Sequence, residues 1–314
     1  MDRSSVVCIG QACADILVKS VDPEIQNRGL TVVEEISYAA GGDAMNEAVT
    51  LARLGLPVKL MTSVGTDVWG DFIITSGKEA GVDMGCVKHS SDYPTTLTIV
   101  LIRQDGEHCF VCNDGTTMHF SMESLDMPSI EKAKVVSLAS MYLTYETDQA
   151  FLAAAKAGKK NGAIITVDTM INPAAKSLDS QAELLPLVDF IFPSYSEACH
   201  ITGEKDPGRI ADFFLKRGVK NVVIKTGKTG CYIQNADEKF TVPTYKNAKP
   251  IDTTGAGDNF AAGFIYGLTR NLSIRECAAY ANAAASVSIQ YVGAGGARSI
   301  KEVEDMMAGG ILEI

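Results

Sequence analysis

The chain has 314 residues, 46% of them hydrophobic, and 28 Lys and Arg against 38 Asp and Glu give a formal charge of −10. That apolar content over that length buries a sizeable core and excludes a disordered chain. No run of Lys and Arg supplies the basic footprint that a nucleic-acid partner needs, so positive potential for any bound anion must come locally, from helix ends, single lysines or a metal.

Val6 to Gly10 is a short apolar run closed by glycine and predicts a buried strand. Asp15 follows it in Gly10-Gln11-Ala12-Cys13-Ala14-Asp15. Leu17 to Ala40 has interrupted alternation and no helical period, which predicts small edge strands outside the main sheet. Gly41-Gly42-Asp43-Ala44-Met45-Asn46 then opens a helix over Ala44 to Leu54, with Ala44, Ala48, Leu51 and Ala52 on one face. Leu97 to Val111 alternates about Gln104-Asp105-Gly106 and predicts a hairpin.

From Val135 the rhythm becomes β, α, β, α. Val135 to Leu138, Ile164 to Asp168, Phe190 to Phe192 and Val222 to Lys225 predict buried strands, with helices over Gln149 to Lys160 and Ile210 to Lys216. Such alternation predicts an α/β fold with a doubly wound, mostly parallel sheet, whose ligands bind beyond the strands' carboxyl ends. Asp15, Asp168, Ser194 to Glu197 and Thr226-Gly227 all follow predicted strands and are expected at one shared site. With no repeat, linker or low-complexity tract, a single domain over 1–314 is expected.

The eight cysteines are scattered, and only Cys109-Phe-Val-Cys112 has metal-ligand spacing. Residues three apart in a strand face opposite sides and no second pair completes a site, so free thiols in a reducing compartment are the simpler reading. Neither a secretory leader nor a membrane-length apolar run is apparent, and a soluble, cytoplasmic protein is expected. The four histidines form no spaced cluster.

The most informative stretch is Asp252-Thr253-Thr254-Gly255-Ala256-Gly257-Asp258-Asn259-Phe260 at the start of an apolar helix. Gly255, Ala256 and Gly257 leave backbone N–H groups uncovered at a helix N-terminus, where donors lack internal partners and the dipole favours an anion such as phosphate. Asp258 adds a base beside that cradle. Alone, the stretch also reads as ordinary helix capping with a first-turn acid. Two common phosphate motifs are absent: the glycine that a P-loop requires before Gly227-Lys228-Thr229 is Val222, and Arg298 breaks a G-x-G-x-x-G pattern at Gly293, Gly295 and Gly296.

The stretch resembles the second signature of the ribokinase-like (PfkB) carbohydrate kinases, D-T-x-G-A-G-D. Gly41-Gly42-Asp43-Ala44-Met45-Asn46, followed by Ala48, Leu51, Ala52, Arg53, Leu54 and Gly55, resembles the first. The resemblance implies a ribokinase-like fold with a small β-sheet lid, here segments 17–40 and 97–111, and relatives often dimerise through that lid. It implies an ATP-dependent kinase acting on a hydroxyl of a small sugar, with Asp258 as general base and an anion hole at Gly255 to Gly257. Asp15, Gly41, Gly42 and Asn46 would bind the sugar. Asp43 would touch substrate or cap its helix.

Pro193-Ser194-Tyr195-Ser196-Glu197 resembles the family's N-x-x-E segment with serine in place of asparagine, which implies that Glu197 organises Mg2+ through water. As a local pattern, Ser194 and Glu197 also form a capping box, and both readings hold together. The resemblance places ATP at Ser194, Lys225, Thr226, Gly227, Gly230 and Asn282, although Lys225 to Gly230 also fits a plain hairpin. It places a monovalent cation, K+, at Asp252 and Thr254, and leaves open whether Asp168 and Asn172 face the phosphates. A nucleoside kinase of the same superfamily, a phosphosugar kinase and a non-catalytic sugar sensor remain alternatives.

Overall fold

A computed structural model describes residues 6–22, 24–27, 29–103, 108–171, 181–293 and 295–311. β1 (Val6–Ile9) opens the main sheet, and the chain then leaves it for β2 (Cys13–Val21) and β3 (Glu35–Gly41). Helix α1 (Asp43–Arg53) returns it to β4 (Val58–Met61). β5 (Ser63–Gly65) and β6 (Lys88–Ser90) form a small parallel pair on either side of α2 (Val68–Glu79). β7 (Leu97–Arg103) and β8 (His108–Cys112) rejoin β2 and β3.

After α3 (Met127–Lys132) come β9 (Val135–Met141), α4 (Tyr145–Lys160), β10 (Ile164–Thr169) and β11 (Phe190–Ile191). The chain continues through α5 (Tyr195–Thr202), α6 (Pro207–Leu215), β12 (Asn221–Lys225), β13 (Cys231–Gln234) and β14 (Lys239–Val242). It closes with α7 (Ala256–Thr269), α8 (Ile274–Ser288) and α9 (Ile300–Ala308).

The main sheet has eight strands in the order β14-β13-β12-β11-β10-β9-β1-β4. It is parallel from β4 to β12, and β13 and β14 are antiparallel additions. The second sheet has the order β3-β2-β7-β8. It uses the two segments expected to lie outside the main sheet.

Side-chain alternation explains why helices cover both faces. Val7, Ile9, Val136 and Leu138 point into a core that includes Phe151 and Ala154 of α4. Their neighbours Val6, Cys8 and Val135 point into the other, against Ala44, Ala48 and Leu51 of α1 and Ile265 of α7. All seven residues of β9 are buried, as a central parallel strand requires.

Two differences from the sequence expectation stand out, in the second sheet and in α4. The second sheet begins earlier than Leu17, so Asp15 lies inside β2, paired with Ala39 of β3 and Thr98 of β7. The expected hairpin is β7 and β8, and its turn at Gln104-Asp105-Gly106 lies outside the described residues. Helix α4 starts at Tyr145 rather than Gln149 because the Thr144 hydroxyl caps the Thr147 amide. Among the described residues, no helix is long and apolar enough to cross a membrane.

Candidate active site

The carboxyl ends of β10 and β12 and the N-termini of α1, α5 and α7 meet at one cleft. A cavity of about 680 Å³ opens there. Asp43, Asp168, Glu197, Lys225 and Asp258 form one charged part, Lys228 and Lys246 add positive charge elsewhere on the wall, and a more apolar part is formed by Tyr245, Ala248, Pro250, Phe260, Ala285 and Ile289. Ser194, Gly227, Gly230, Ala256, Gly257 and Asn282 also line it, whereas Asp15, Gly41, Gly42, Asn46, Thr226, Asp252, Thr254 and Gly255 do not.

Asp258 is the third residue of α7, and its Oδ2 accepts a hydrogen bond from Asn46 Nδ2 at 2.7 Å. That bond joins the two glycine-rich segments across 212 residues of sequence. Burial, with the Asp43 carboxylate nearby, pushes the Asp258 carboxyl well above the usual range, and the Asn46 amide opposes the shift. The buried Asn259 fixes this helix start: its Nδ2 donates to the Gly255 carbonyl at 2.8 Å, and its Oδ1 accepts from the Thr50 hydroxyl at 2.7 Å. Asn259 thus ties α7 to α1, a role its place in an apolar helix did not announce.

Gly255 precedes α7 with φ 73°, a left-handed turn that suits glycine. The Ala256 amide turns back to the Thr253 carbonyl at 3.2 Å. The Ala256 amide of the expected cradle is thus occupied, whereas the amides of Gly257 and Asp258, in the first turn of α7, have no partner within the helix. A Cβ on Gly257 would lie 3.1 Å from Lys225 Nζ, so the bare glycine lets the ammonium approach the helix start.

Lys225 ends β12, and its Nζ donates to both carboxylate oxygens of Asp168, at 2.8 and 2.7 Å. Burial works against the lysine's charge, but Asp168 and Glu197 outweigh it and raise its pKa. Burial likewise pushes the Asp168 carboxyl up to about 7, with Lys225 pulling the other way. Ser194 and Glu197 form the expected capping box at the start of α5. Glu197 Oε2 accepts from the Ser194 amide at 2.8 Å and the Thr169 hydroxyl at 3.1 Å, so the cap aims the carboxylate at the cleft.

Asp43 stands at the first position of α1, where its Oδ2 accepts from the Ser140 hydroxyl at 2.6 Å. Ser140 and Tyr142 have φ of 74° and 73°, non-glycine residues held in a costly region where β9 meets the site. No sequence signal marks them. One turn along α1, Glu47 is fully buried, and its Oε2 accepts from the Ser137 hydroxyl at 2.5 Å. Burial and the nearby Asp168 push the Glu47 carboxyl up to about 8.

Two expected ligands are occupied in other ways. Asn282 Nδ2 donates to the carbonyls of Val242 and Pro243, at 3.0 and 3.2 Å, and so pins the segment after β14. Asp252 Oδ1 accepts from the Thr254 amide and hydroxyl, at 2.9 and 2.7 Å, and its Oδ2 from the Gly293 amide at 2.8 Å. Asn172 lies outside the described residues. Among the described residues no three His, Cys, Asp or Glu side chains gather as a metal-binding group, and the hard carboxylate oxygens of Glu197 at the cleft fit Mg2+ that keeps most of its waters.

These buried carboxyls dictate how stability depends on pH. Asp168 and Glu47 have raised values in the fold, so the native state holds protons that the unfolded chain has already released. Stability is therefore fullest on the acid side and is lost as pH rises through the folded values. Urea denaturation of the ligand-free protein is expected to show a loss on the order of a few kcal/mol between about pH 5 and 8, reduced in Glu47→Gln. A flat profile would show that these carboxyls are solvated.

Residues 3–301 match the pfkB family carbohydrate kinases. A ribokinase of Staphylococcus aureus is 28% identical over 302 residues, covering 93% of this chain and 95% of its own. A 2-dehydro-3-deoxygluconokinase of Bacillus subtilis is 29% identical over 275 residues, covering 84% and 85%. The structure of Arabidopsis thaliana ribokinase complexed with ribose and ATP is similar at a TM-score of 0.84 and 27% identity, over 98% of this chain and 99% of that one. Both glycine-rich segments meet at the cleft on a fold shared over nearly the whole length, and the chain belongs to the pfkB family of carbohydrate kinases, phosphotransferases with an alcohol group as acceptor.

Proposed function

We propose that this chain transfers the γ-phosphoryl group of ATP to a hydroxyl of a small sugar, with Asp258 as the general base. The observation that carries the reading is the Asn46–Asp258 hydrogen bond at the start of α7, which sets a carboxylate beside a helix N-terminus in the cleft. The sugar binds between Asp15, the Gly41-Gly42 backbone and Asn46. Asp258 accepts the hydroxyl proton as the new P–O bond forms, while the leaving ADP oxygen takes the electron pair of the bond that breaks.

The Gly257 and Asp258 amides and the Lys225 ammonium meet the charge on the phosphoryl oxygens. Ser194, Gly227 and Gly230 approach the nucleotide, and Asn282 shapes its pocket by holding the Val242 and Pro243 carbonyls. Glu197 would hold Mg2+ through water. That ion neutralises phosphate charge when bound. Asp252 and Thr254 are retained as the K+ position, since a carboxylate and a hydroxyl are suitable donors once a loop admits the ion.

The second sheet would act as a lid that excludes water from the transfer. Ile36, Tyr38, Phe110 and Val111 on that sheet are exposed, which supports a homodimer through it. A cytoplasmic location, where ATP and free sugars meet, is part of this reading. ADP release from Mg-ATP, measured over neutral sugars, sugar acids, sugar phosphates and nucleosides with and without K+, tests the reading. One sugar should give turnover, and K+ should raise it. ATP binding with no acceptor consumed would favour a sugar sensor, and a nucleoside as best acceptor would move the chain to the nucleoside kinases.

A further inference from the structure

Helix α1 meets β9 through two hydrogen bonds of one kind. The Ser140 hydroxyl donates to Asp43 Oδ2 at 2.6 Å, and the Ser137 hydroxyl donates to Glu47 Oε2 at 2.5 Å. Asp43 and Glu47 stand one turn apart on α1 and so share a face. Ser137 and Ser140 are three apart, and in a regular strand such residues face opposite sides. A bulge in β9 resolves the conflict. Leu138 pairs with Val167 and Met141 with Thr169, so Ala139 and Ser140 together stand against the single Asp168 of β10. The extra residue resets the alternation: Ala139 packs in the core on the α1 side and Met141 in the core on the α4 side, where regular spacing would put both on one face.

This bulge is costly to hold. Ser140 sits at φ 74°, a region that glycine enters freely and serine does not. A glycine would form the same bulge more cheaply but would bring no hydroxyl. The turn beyond it is pinned: the Tyr142 amide donates to Asp148 Oδ1 at 3.2 Å, and the Leu143 amide to the Ser140 carbonyl at 3.3 Å. On the helix side, Glu47 is fully buried and its Oε1 has no hydrogen-bond partner among the described residues, so the bond from Ser137 is what orients the group. Around these bonds, Ala44, Ala48 and Leu51 of α1 share a core with Val6, Cys8 and Val135. Apolar contact of that kind attracts without direction. The two serine bonds supply the direction.

We propose that Ser140 and Glu47 are positioning residues for phosphoryl transfer: the paired serine–carboxylate bonds fix where α1 places Asp43 and Asn46, and through Asn46 the carboxylate of Asp258. Neither Ser140 nor Glu47 lines the cleft. Asn46 lies between the two bonds along α1, and its amide reaches Asp258 at 2.7 Å, so a small shift of the helix lengthens that contact. Misplacement of a reacting group by about 1 Å costs on the order of 10²-fold in rate. The inference rests on the kinase reading above and adds to it residues that act through others.

The test compares Ser140→Ala, Ser140→Gly, Glu47→Leu and Glu47→Gln with wild type, using the best acceptor among D-ribose, D-fructose and D-glucose. Ser140→Ala and Ser140→Gly both lose the hydroxyl, and each should lower kcat by about tenfold or more while KM for Mg-ATP stays within about threefold. Glycine relieves the backbone cost that alanine keeps, so Ser140→Gly should unfold at a higher urea midpoint than Ser140→Ala with no gain in rate. Glu47→Gln keeps an oxygen for the Ser137 hydroxyl and should recover most of the rate that Glu47→Leu loses. Solution NMR of the Asn46 side-chain amide, assigned by its disappearance in Asn46→Ser, follows the bond to Asp258 without turnover. That resonance should move in Ser140→Gly.

An unmoved Asn46 amide in folded Ser140→Gly overturns the inference. So does a kcat in Ser140→Gly that matches wild type or recovers along with stability, since the serine would then serve the fold alone; wild-type turnover in that experiment would still uphold the kinase reading. If wild type phosphorylates no sugar in any condition, the kinase reading fails, and the Asn46 amide alone decides the inference: movement in Ser140→Gly upholds it.

Discussion

Asp258→Asn is expected to lower kcat by about 10²–10⁴-fold while leaving the affinity for Mg-ATP within a few-fold of wild type. The amide keeps the shape of the side chain and its contact with Asn46 but cannot take the hydroxyl proton. Because burial and the Asp43 charge hold the Asp258 carboxyl above its ordinary range, the acid limb of kcat should lie well above the pH of a free carboxylate. Rate falls as pH drops through that value, since the protonated base is idle. Removing the Asp43 charge lowers the Asp258 pKa, so Asp43→Asn should move the limb to lower pH. Steady-state rates across pH check both. An Asp258→Asn protein with near-native kcat would remove Asp258 from the chemistry.

Lys225→Met is expected to damage both stability and activity, for different reasons. The Lys225 and Asp168 side chains are only 13% and 4% exposed, and removing one partner leaves the other buried without compensation. Breaking such a pair costs about 3–5 kcal/mol, part of which is recovered when Asp168 takes up a proton. Loss of the ammonium beside Gly257 also removes charge that would meet the phosphoryl group, about 10²–10³-fold in kcat/KM. The double variant Lys225→Met/Asp168→Asn separates the effects. It should regain most of the stability in urea denaturation and little of the activity. If the double variant recovers both, Lys225 serves the fold alone.

The parallel half of the main sheet is legible in sequence because its strands are buried on both faces and read as short apolar runs between helices. The two segments that carry Asp43, Asn46 and Asp258 are legible for another reason, since glycines cluster where backbone must come close to a ligand, but the hydrogen bond between Asn46 and Asp258 is not. The second sheet is harder to read. Its strands are largely open on one side, so their apolar pattern is weak, and β2 begins at Cys13 without a turn signal. Asp15 therefore looks like a strand-end acid when it belongs to a strand.

Asn259 and Glu47 were hidden because they sit in helices whose neighbours are apolar, where a single polar residue carries no period. Their meaning lies in partners far along the chain: Thr50 for Asn259 and Ser137 for Glu47. Asp252 illustrates the converse. Its type and place suit a cation, and the three hydrogen bonds from Thr254 and Gly293 that hold its carboxylate in place come from partners the sequence does not point to.

The most direct test of the central claim is to quench a reaction of wild-type protein with Mg-ATP and the best-bound sugar, and weigh the products by mass spectrometry. The account predicts one phosphorylated sugar for each ADP formed, and neither product above background with Asp258→Asn. ADP appearing with inorganic phosphate and unmodified sugar would contradict it.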